Sequence, residues 1–279
     1  MKNIILVVLY NRRILESETY CSLLNIFIKK EISEKKYEVL FWDNSPSHVN
    51  LDCIDVATGN LRKLGLKAAY FNCPDNKPLS QVYNKVIKDS IADKQYLFIF
   101  DQDTTFDCNY FKQFEKSTRD KEYNILLPVV RFRDKIVSPT KIFYIKGVYF
   151  HTSPKGEVAG CKISAINSGM ALSLKFLAQH GFEYNEKLRN YCTDDDLMLF
   201  ARSVEASVFV LDYELEHDLS FSTLNENSDS LRERYNEMVR AKKIIYSRNK
   251  IEKYVMCFYF STHRLYMALK YFDVKYLKD

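Results

Sequence analysis

The sequence is short of the residues that break regular structure: 279 residues contain only 7 glycines and 6 prolines. That scarcity, with 47% hydrophobic and 14% aromatic residues, excludes fibrous and disordered classes. Cysteine is present but unorganised. Seven cysteines run from Cys21 to Cys257 without a CxxC pair, which argues against a disulfide framework or a zinc site and fits a reduced, cytoplasmic protein. No run of roughly 18 apolar residues occurs, so no membrane-spanning helix is expected. The opening MKNIILVVLYNRR has a short apolar run, no small-residue cleavage site and two arginines. It therefore reads as a first strand and not as a signal peptide. Charge of one sign is also lacking, since 41 basic residues face 36 acidic ones for a net +5. So mild an excess gives no argument for a nucleic-acid partner.

What the sequence does have is alternation. Asn3–Tyr10 is a continuous aliphatic run, the pattern of a strand buried on both faces. Leu15–Lys30 carries helical periodicity, with Leu15, Tyr20, Leu23, Leu24, Phe27 and Ile28 able to share a face. Tyr37–Trp42 reads as a second strand ending in the turn-forming Asp43-Asn44-Ser45-Pro46. Leu66–Phe71 is a third strand, Leu79–Ile91 a helix and Tyr96–Phe100 a fourth strand. Strand and helix signals in turn predict βαβ units and a mostly parallel sheet.

In such sheets ligands bind beyond the carboxyl ends of the strands. Three of those ends are polar: Tyr10-Asn11-Arg12, Asp43-Asn44-Ser45 and Asp101-Gln102-Asp103. A solvated loop explains one such end, whereas three on one rim outline a site. Two carboxylates one residue apart on an extended chain point the same way and raise each other's pKa unless a cation intervenes. Mg²⁺ or Mn²⁺, hard ions that favour oxygen ligands and phosphates, are the natural partners. Two enzyme classes place acids after an apolar strand in this way. Asp101-Gln102-Asp103-Thr104-Thr105 matches the motif of haloacid-dehalogenase-like phosphatases, with Asp101 as nucleophile and Asp103 as general acid. Nucleotide-sugar glycosyltransferases use the same acids to hold a metal on a diphosphate. A non-catalytic sugar- or nucleotide-binding module is a third reading. Against the phosphatase, about two βα units precede the motif. The one candidate for its late acid pair, Asp194-Asp195-Asp196, follows the polar Asn190-Tyr191-Cys192-Thr193.

The ordered set VLYNR, WDNS, FDQD, NSGMALS, TDDDL, LEHDLS and IIYSRN resembles family 2 glycosyltransferases of the GT-A fold, in particular their bacterial rhamnosyltransferase-like members. The resemblance covers roughly residues 3 to 250. It implies a Rossmann-like nucleotide-binding sheet flanked by helices in residues 1–220, with a donor half (1–105) and an acceptor half (106–220). A helical extension, 221–279, would follow. It also implies an inverting, metal-dependent transfer of a sugar, rhamnose in that subgroup, from a UDP- or dTDP-sugar. The acceptor would be a saccharide or lipid-linked saccharide in bacterial surface polysaccharide synthesis.

On this resemblance Tyr10, Asn11 and Asp43 line the donor nucleotide's pocket, joined by Asn76, Asn84 and Gln102. Asp101 serves ribose or metal, Asp103 the metal and diphosphate, and His217 completes the metal site. Asp194 is the general base with Asp195 as its substitute, while Asp196 is structural or an acceptor contact. Gly169, in the loop Asn167-Ser168-Gly169, would let the backbone approach a ligand. The C-terminal stretch from Arg240 mixes basic and aromatic residues. Such helices either pack over the sheet or lie on the anionic inner face of a membrane. A homo-oligomer is compatible with all of this.

Overall fold

The computed structural model describes residues 2–47, 50–143, 146–216 and 228–277. Strand β1 (Lys2–Leu9) leads through a short 3₁₀ turn to helix α1 (Glu18–Ile28). The helix begins three residues later than its periodicity suggests, because Ser17 caps it by accepting from the Tyr20 N–H. Strand β2 (Tyr37–Asp43), helix α2 (Ile54–Lys63), strand β3 (Lys67–Asn72), helix α3 (Leu79–Ser90) and strand β4 (Lys94–Asp101) complete the first half. Helix α4 (Cys108–Ser117), capped by Asp107, opens the second. Strands β5 (Ile125–Phe132), β6 (Lys135–Ser138), β7 (Thr140–Phe143), β8 (Lys146–Tyr149), β9 (Gly156–Ala159), β10 (Ile163–Ser164) and β11 (Met170–Ser173) follow. Helices α5 (Leu174–His180) and α6 (Thr193–Ser203) precede strand β12 (Ser207–Glu216), and helices α7 (Ser228–Ile245) and α8 (Lys250–Tyr271) end the chain.

The central nine-stranded sheet runs β3-β2-β1-β4-β11-β5-β12-β9, with β6 on the edge of β5, and β10-β7-β8 form a separate small sheet. Strands β1 to β4 are parallel, as the alternation predicts, and β11 is inserted antiparallel between β4 and β5. The chain winds outward from β1 to β3 and then crosses back to place β4 on the other side of β1. That crossing is a topological switch point, where an α/β sheet opens a crevice. Register brings Val8 beside Asp101 and Leu9 beside Asp43, so the first three polar strand ends share one rim.

Both faces of the sheet are buried, which is why β1 reads as an unbroken aliphatic run. Ile5, Val7 and Leu9 join α1, α2 and α4 in one core, while Ile4 and Leu6 join α3, α5 and α6 in the other. A third core gathers Leu188 and Cys192 with Tyr235, Val239, Met256 and Phe260. The C-terminal helices thus close over the loop that carries the acidic triplet.

Candidate active site

The rim is built by side chains that act as backbone. Gln102 donates from Nε2 to the Tyr10 carbonyl (3.2 Å) and accepts the Tyr10 N–H on Oε1 (2.8 Å). One amide therefore pairs the β1 and β4 exits as a strand would. Ser17 Oγ donates to the Gln102 carbonyl (2.7 Å), and the Thr19 hydroxyl donates to the carbonyls of Asp101 and Thr104. Beneath, Thr104 and Ser168 share a buried hydroxyl contact of 2.7 Å. The Asp101-Gln102-Asp103 turn is thereby fixed to the N-terminus of α1.

This turn forms one wall of a cleft of about 370 Å³ lined by Val8, Tyr10, Asn44, Asn76, Leu79, Asp101, Gln102, Asp103 and Asn190. The volume suits a nucleotide-sized ligand. Four residues expected on the donor side converge here: Tyr10, Asn76, Asp101 and Gln102. Asp103, expected on the metal, joins them.

Three others do not. Asp43 is fully buried. Its carboxylate accepts from the Ser45 N–H (3.0 Å), Ser45 Oγ, Asn50 Nδ2 (2.7 Å) and the Tyr70 phenol. Burial, and then this carboxylate, push the Tyr70 phenol above its ordinary pKa. Asp43 organises the loop below the cleft and does not line it. Asn11 is exposed in the left-handed region (φ 50°), its N–H given to Ser45 Oγ. Asn84 exchanges two hydrogen bonds with the Tyr184 backbone (2.9 and 2.8 Å), tying α3 to the loop before α6. Asn44 and Asn190 were missed as lining groups. Asn44 stands one residue after Asp43 in the same turn and was there to be found, but Asn190 comes from a distant loop held by Glu237 of α7 (3.0 Å).

Gly169 is also explained differently. It lies at φ +75°, and a Cβ there would meet Leu215 Cδ1 at 2.6 Å and Pro128 Cγ at 2.8 Å. Its bareness serves packing within the sheet and not approach of a ligand.

A second chamber, about 190 Å³, opens between the β10-β7-β8 sheet and the start of α6, with Thr140, Ser164, Asp194, Asp195 and Lys242 among its walls. Successive helical residues diverge by about 100°, and the three aspartates separate accordingly. Asp196 accepts the Asn185 N–H (2.9 Å) and pins a loop. Asp195 pairs with Lys242 of α7 and accepts from Ser164 Oγ at 3.3 Å. Asp194 accepts the Asp195 N–H (2.9 Å). Burial, and after it the Asp195 charge, push its carboxyl up to about 7, against the opposing pull of Lys242. Burial alone would lower the Lys242 ammonium, but the adjoining Asp195 carboxylate outweighs it and holds the group above its usual range.

The buried Tyr83 lies within electrostatic reach of an acid from each chamber. This phenol is raised far above its ordinary pKa by burial first, then by the Asp101 and, more weakly, the Asp194 carboxylates. Asn167 Nδ2 donates to Thr193 Oγ1 (2.9 Å) and steadies the first turn of α6.

His217, the expected third metal ligand, lies outside the described residues. Among the described residues no group of three or more His, Cys, Asp or Glu gathers as a metal site. Asp101 and Asp103 on the cleft wall nevertheless fit an ion such as Mg²⁺, which typically takes one or two carboxylates and completes its shell with water and phosphate.

No protein-family model matches the sequence, and no curated protein does. Solved structures match over nearly the whole chain. The 1-349 portion of S. aureus TarS superposes with a TM-score of 0.57 at 17% identity, covering 92% of this chain and 68% of that one. The same portion in complex with UDP-GlcNAc gives 0.57 at 15% identity, covering 92% and 69%. GalNAc-T7 with UDP, GalNAc and Mn²⁺ gives 0.62 at 11% identity, covering 95% and 51%. The fold is that of the GT-A glycosyltransferases. At these identities the likeness is one of fold, and the chain spans 41% of full-length TarS. Within a GT-A fold the carboxylates after β4 do not occupy the domain-opening strand expected of the phosphatase.

Proposed function

We propose that this protein is a metal-dependent glycosyltransferase. It moves a sugar from a nucleoside diphosphate donor to a hydroxyl of a saccharide or lipid-linked acceptor, with inversion, in bacterial surface polysaccharide synthesis at the cytoplasmic face. One observation carries the reading: helix α7 ties a diacid-walled cleft at the switch point, through Asn190, to a chamber that holds the buried Asp194, through Asp195. The structures of TarS with UDP-GlcNAc and of GalNAc-T7 with UDP and Mn²⁺ support a UDP-type donor and a divalent ion. The sequence resemblance adds dTDP-sugars and rhamnose to the donors worth testing.

In this mechanism Asp101 and Asp103 would hold the ion, which when bound would supply neutralising charge for the departing diphosphate. Tyr10, Asn44, Asn76 and Asn190 offer ring, amide and carbonyl groups to the base, ribose and sugar. Asp194 takes the proton from the acceptor hydroxyl as it attacks the anomeric carbon from the face opposite the leaving group. Asp195, neutralised by Lys242, positions the acceptor through its remaining oxygen and Ser164.

Incubation with Mn²⁺ and a panel of UDP- and dTDP-sugars tests this. Slow donor hydrolysis, or protection from heat by one nucleoside diphosphate, is expected. Metal-dependent cleavage of a simple aryl phosphate would return the assignment to the phosphatases. Nucleotide binding without turnover on any acceptor would leave only a binding module.

A further inference from the structure

Helix α8 is apolar on two opposite sides. Met256, Phe260, Arg264, Met267 and Ala268 are buried toward the protein. On the far side Ile251, Tyr254 and Phe258 are 77%, 77% and 74% exposed, and Leu265, Tyr266 and Leu269 are more than half exposed. At about 100° per residue these six fall within an arc of about 120°, along a helix face about 30 Å long. The stripe continues past the helix end through Phe272 and Val274. A monomer rarely leaves so continuous an apolar surface in water.

The charge around the stripe has one sign. Both acids of the segment 248–277 are already used, Glu252 by Arg248 and Asp273 by Arg232. Lys250 and Lys270, each about 40° beyond an edge of that arc, and Lys275 past the helix end are exposed and carry no ion pair among the described residues. An apolar, aromatic face bordered by unpaired lysines fits the headgroup boundary of an anionic bilayer. It fits a second copy of the chain less well. The arc is wider than the narrow seam of a coiled coil, and pairing the stripes would gather the flanking lysines of both copies with both acids of the segment already engaged. No described helix is long and apolar enough to cross a membrane, so contact would be from one side.

We propose that α8 is a docking surface that seats the protein on an anionic lipid membrane. The proposal stands apart from the transferase reading.

The test is co-sedimentation of the full chain with vesicles of phosphatidylcholine alone or with about 30% phosphatidylglycerol, the composition that supplies surface charge. Binding at least about tenfold stronger to the anionic vesicles, weakened by salt, is expected. The double variant Phe258→Ser/Leu265→Ser should lose about tenfold or more of that binding, with melting temperature and nucleotide protection unchanged because both side chains face outward. Lys250→Glu/Lys270→Glu should lose the preference for anionic vesicles. A chain that stays in the supernatant with both vesicle types overturns the proposal, as does equal sedimentation with both. So does a dimer that the serine variant dissolves in the absence of vesicle binding. Donor protection measured on the same samples reads the transferase assignment separately.

Discussion

Asp194 combines two demands that oppose each other. A carboxyl raised to about 7 by burial and by Asp195 is a competent base near neutral pH, yet it holds a charge that the fold resists. Transfer to acceptor should therefore rise with pH through about 7 as Asp194 loses its proton, then level off, while donor protection stays flat. Asp194→Asn should cut transfer by about a hundredfold or more and leave donor binding intact. The same group has a stability consequence. Its folded pKa lies above the unfolded value, so between those values the native state binds the extra proton and stability falls as pH rises. Asp194→Asn should accordingly melt higher at pH 8, by about 3 °C, and a lower melting point would contradict the burial argument. On the other side of Tyr83, Asp103→Ala should abolish metal-dependent nucleotide protection. Unchanged affinity there would remove the metal role. At this scale the sequence was informative where chemistry is local. Asp101, Gln102 and Asp103 stand at a strand exit, and apolar residues before acids announce it. Asp43 stands at an equally polar exit, but Tyr70 and Asn50 consume its carboxylate, and nothing in the WDNS stretch signals those partners.

Between elements, the loop from Asn167 to Gly169 and the helix α7 hold the two chambers in register. Gly169→Ala should destabilise the protein by about 1–3 kcal/mol, because its Cβ would enter space held by Leu215 and Pro128 at a positive φ. Denaturant unfolding measures this, and a wild-type midpoint would refute it. Lys242→Met removes the cation that counteracts the rise in the Asp194 pKa, so the acid limb of the transfer profile should move to higher pH. A merely structural lysine would lower stability without moving that limb. The four strands of the first half and its helices α1 and α3 were legible to within a few residues, because β1, β2 and β4 are buried on both faces and read as aliphatic runs, whereas α2, with only Ala57, Thr58 and Leu61 buried, gave no such signal. Lys242 was not legible. It sits 47 residues beyond Asp195 in a basic stretch like many others, and only the closure of α7 over Cys192 and Leu188 brings it in.

Across the whole molecule, the helical extension expected as a separate segment shares a core with the loop that leads into the acidic triplet. Removing residues 228–277 should expose Leu188 and Cys192, leave Asp195 without its counter-charge, and yield an aggregating product. A soluble, cooperatively melting fragment would show instead that residues 1–227 fold alone. The mixed sheet was harder to foresee than the parallel half. Strand β11 is four residues long and wholly buried, and a buried tetrapeptide carries no mark of its direction.

The ion pair between Asp195 and Lys242 also has a meaning in time. A ribosome delivers the three aspartates well before the lysine that answers them, so a nascent chain holds a cluster of uncompensated acid until its final helices emerge. The triplet's electrostatic balance is then struck late in synthesis, and a polypeptide halted before α7 carries those acids unanswered.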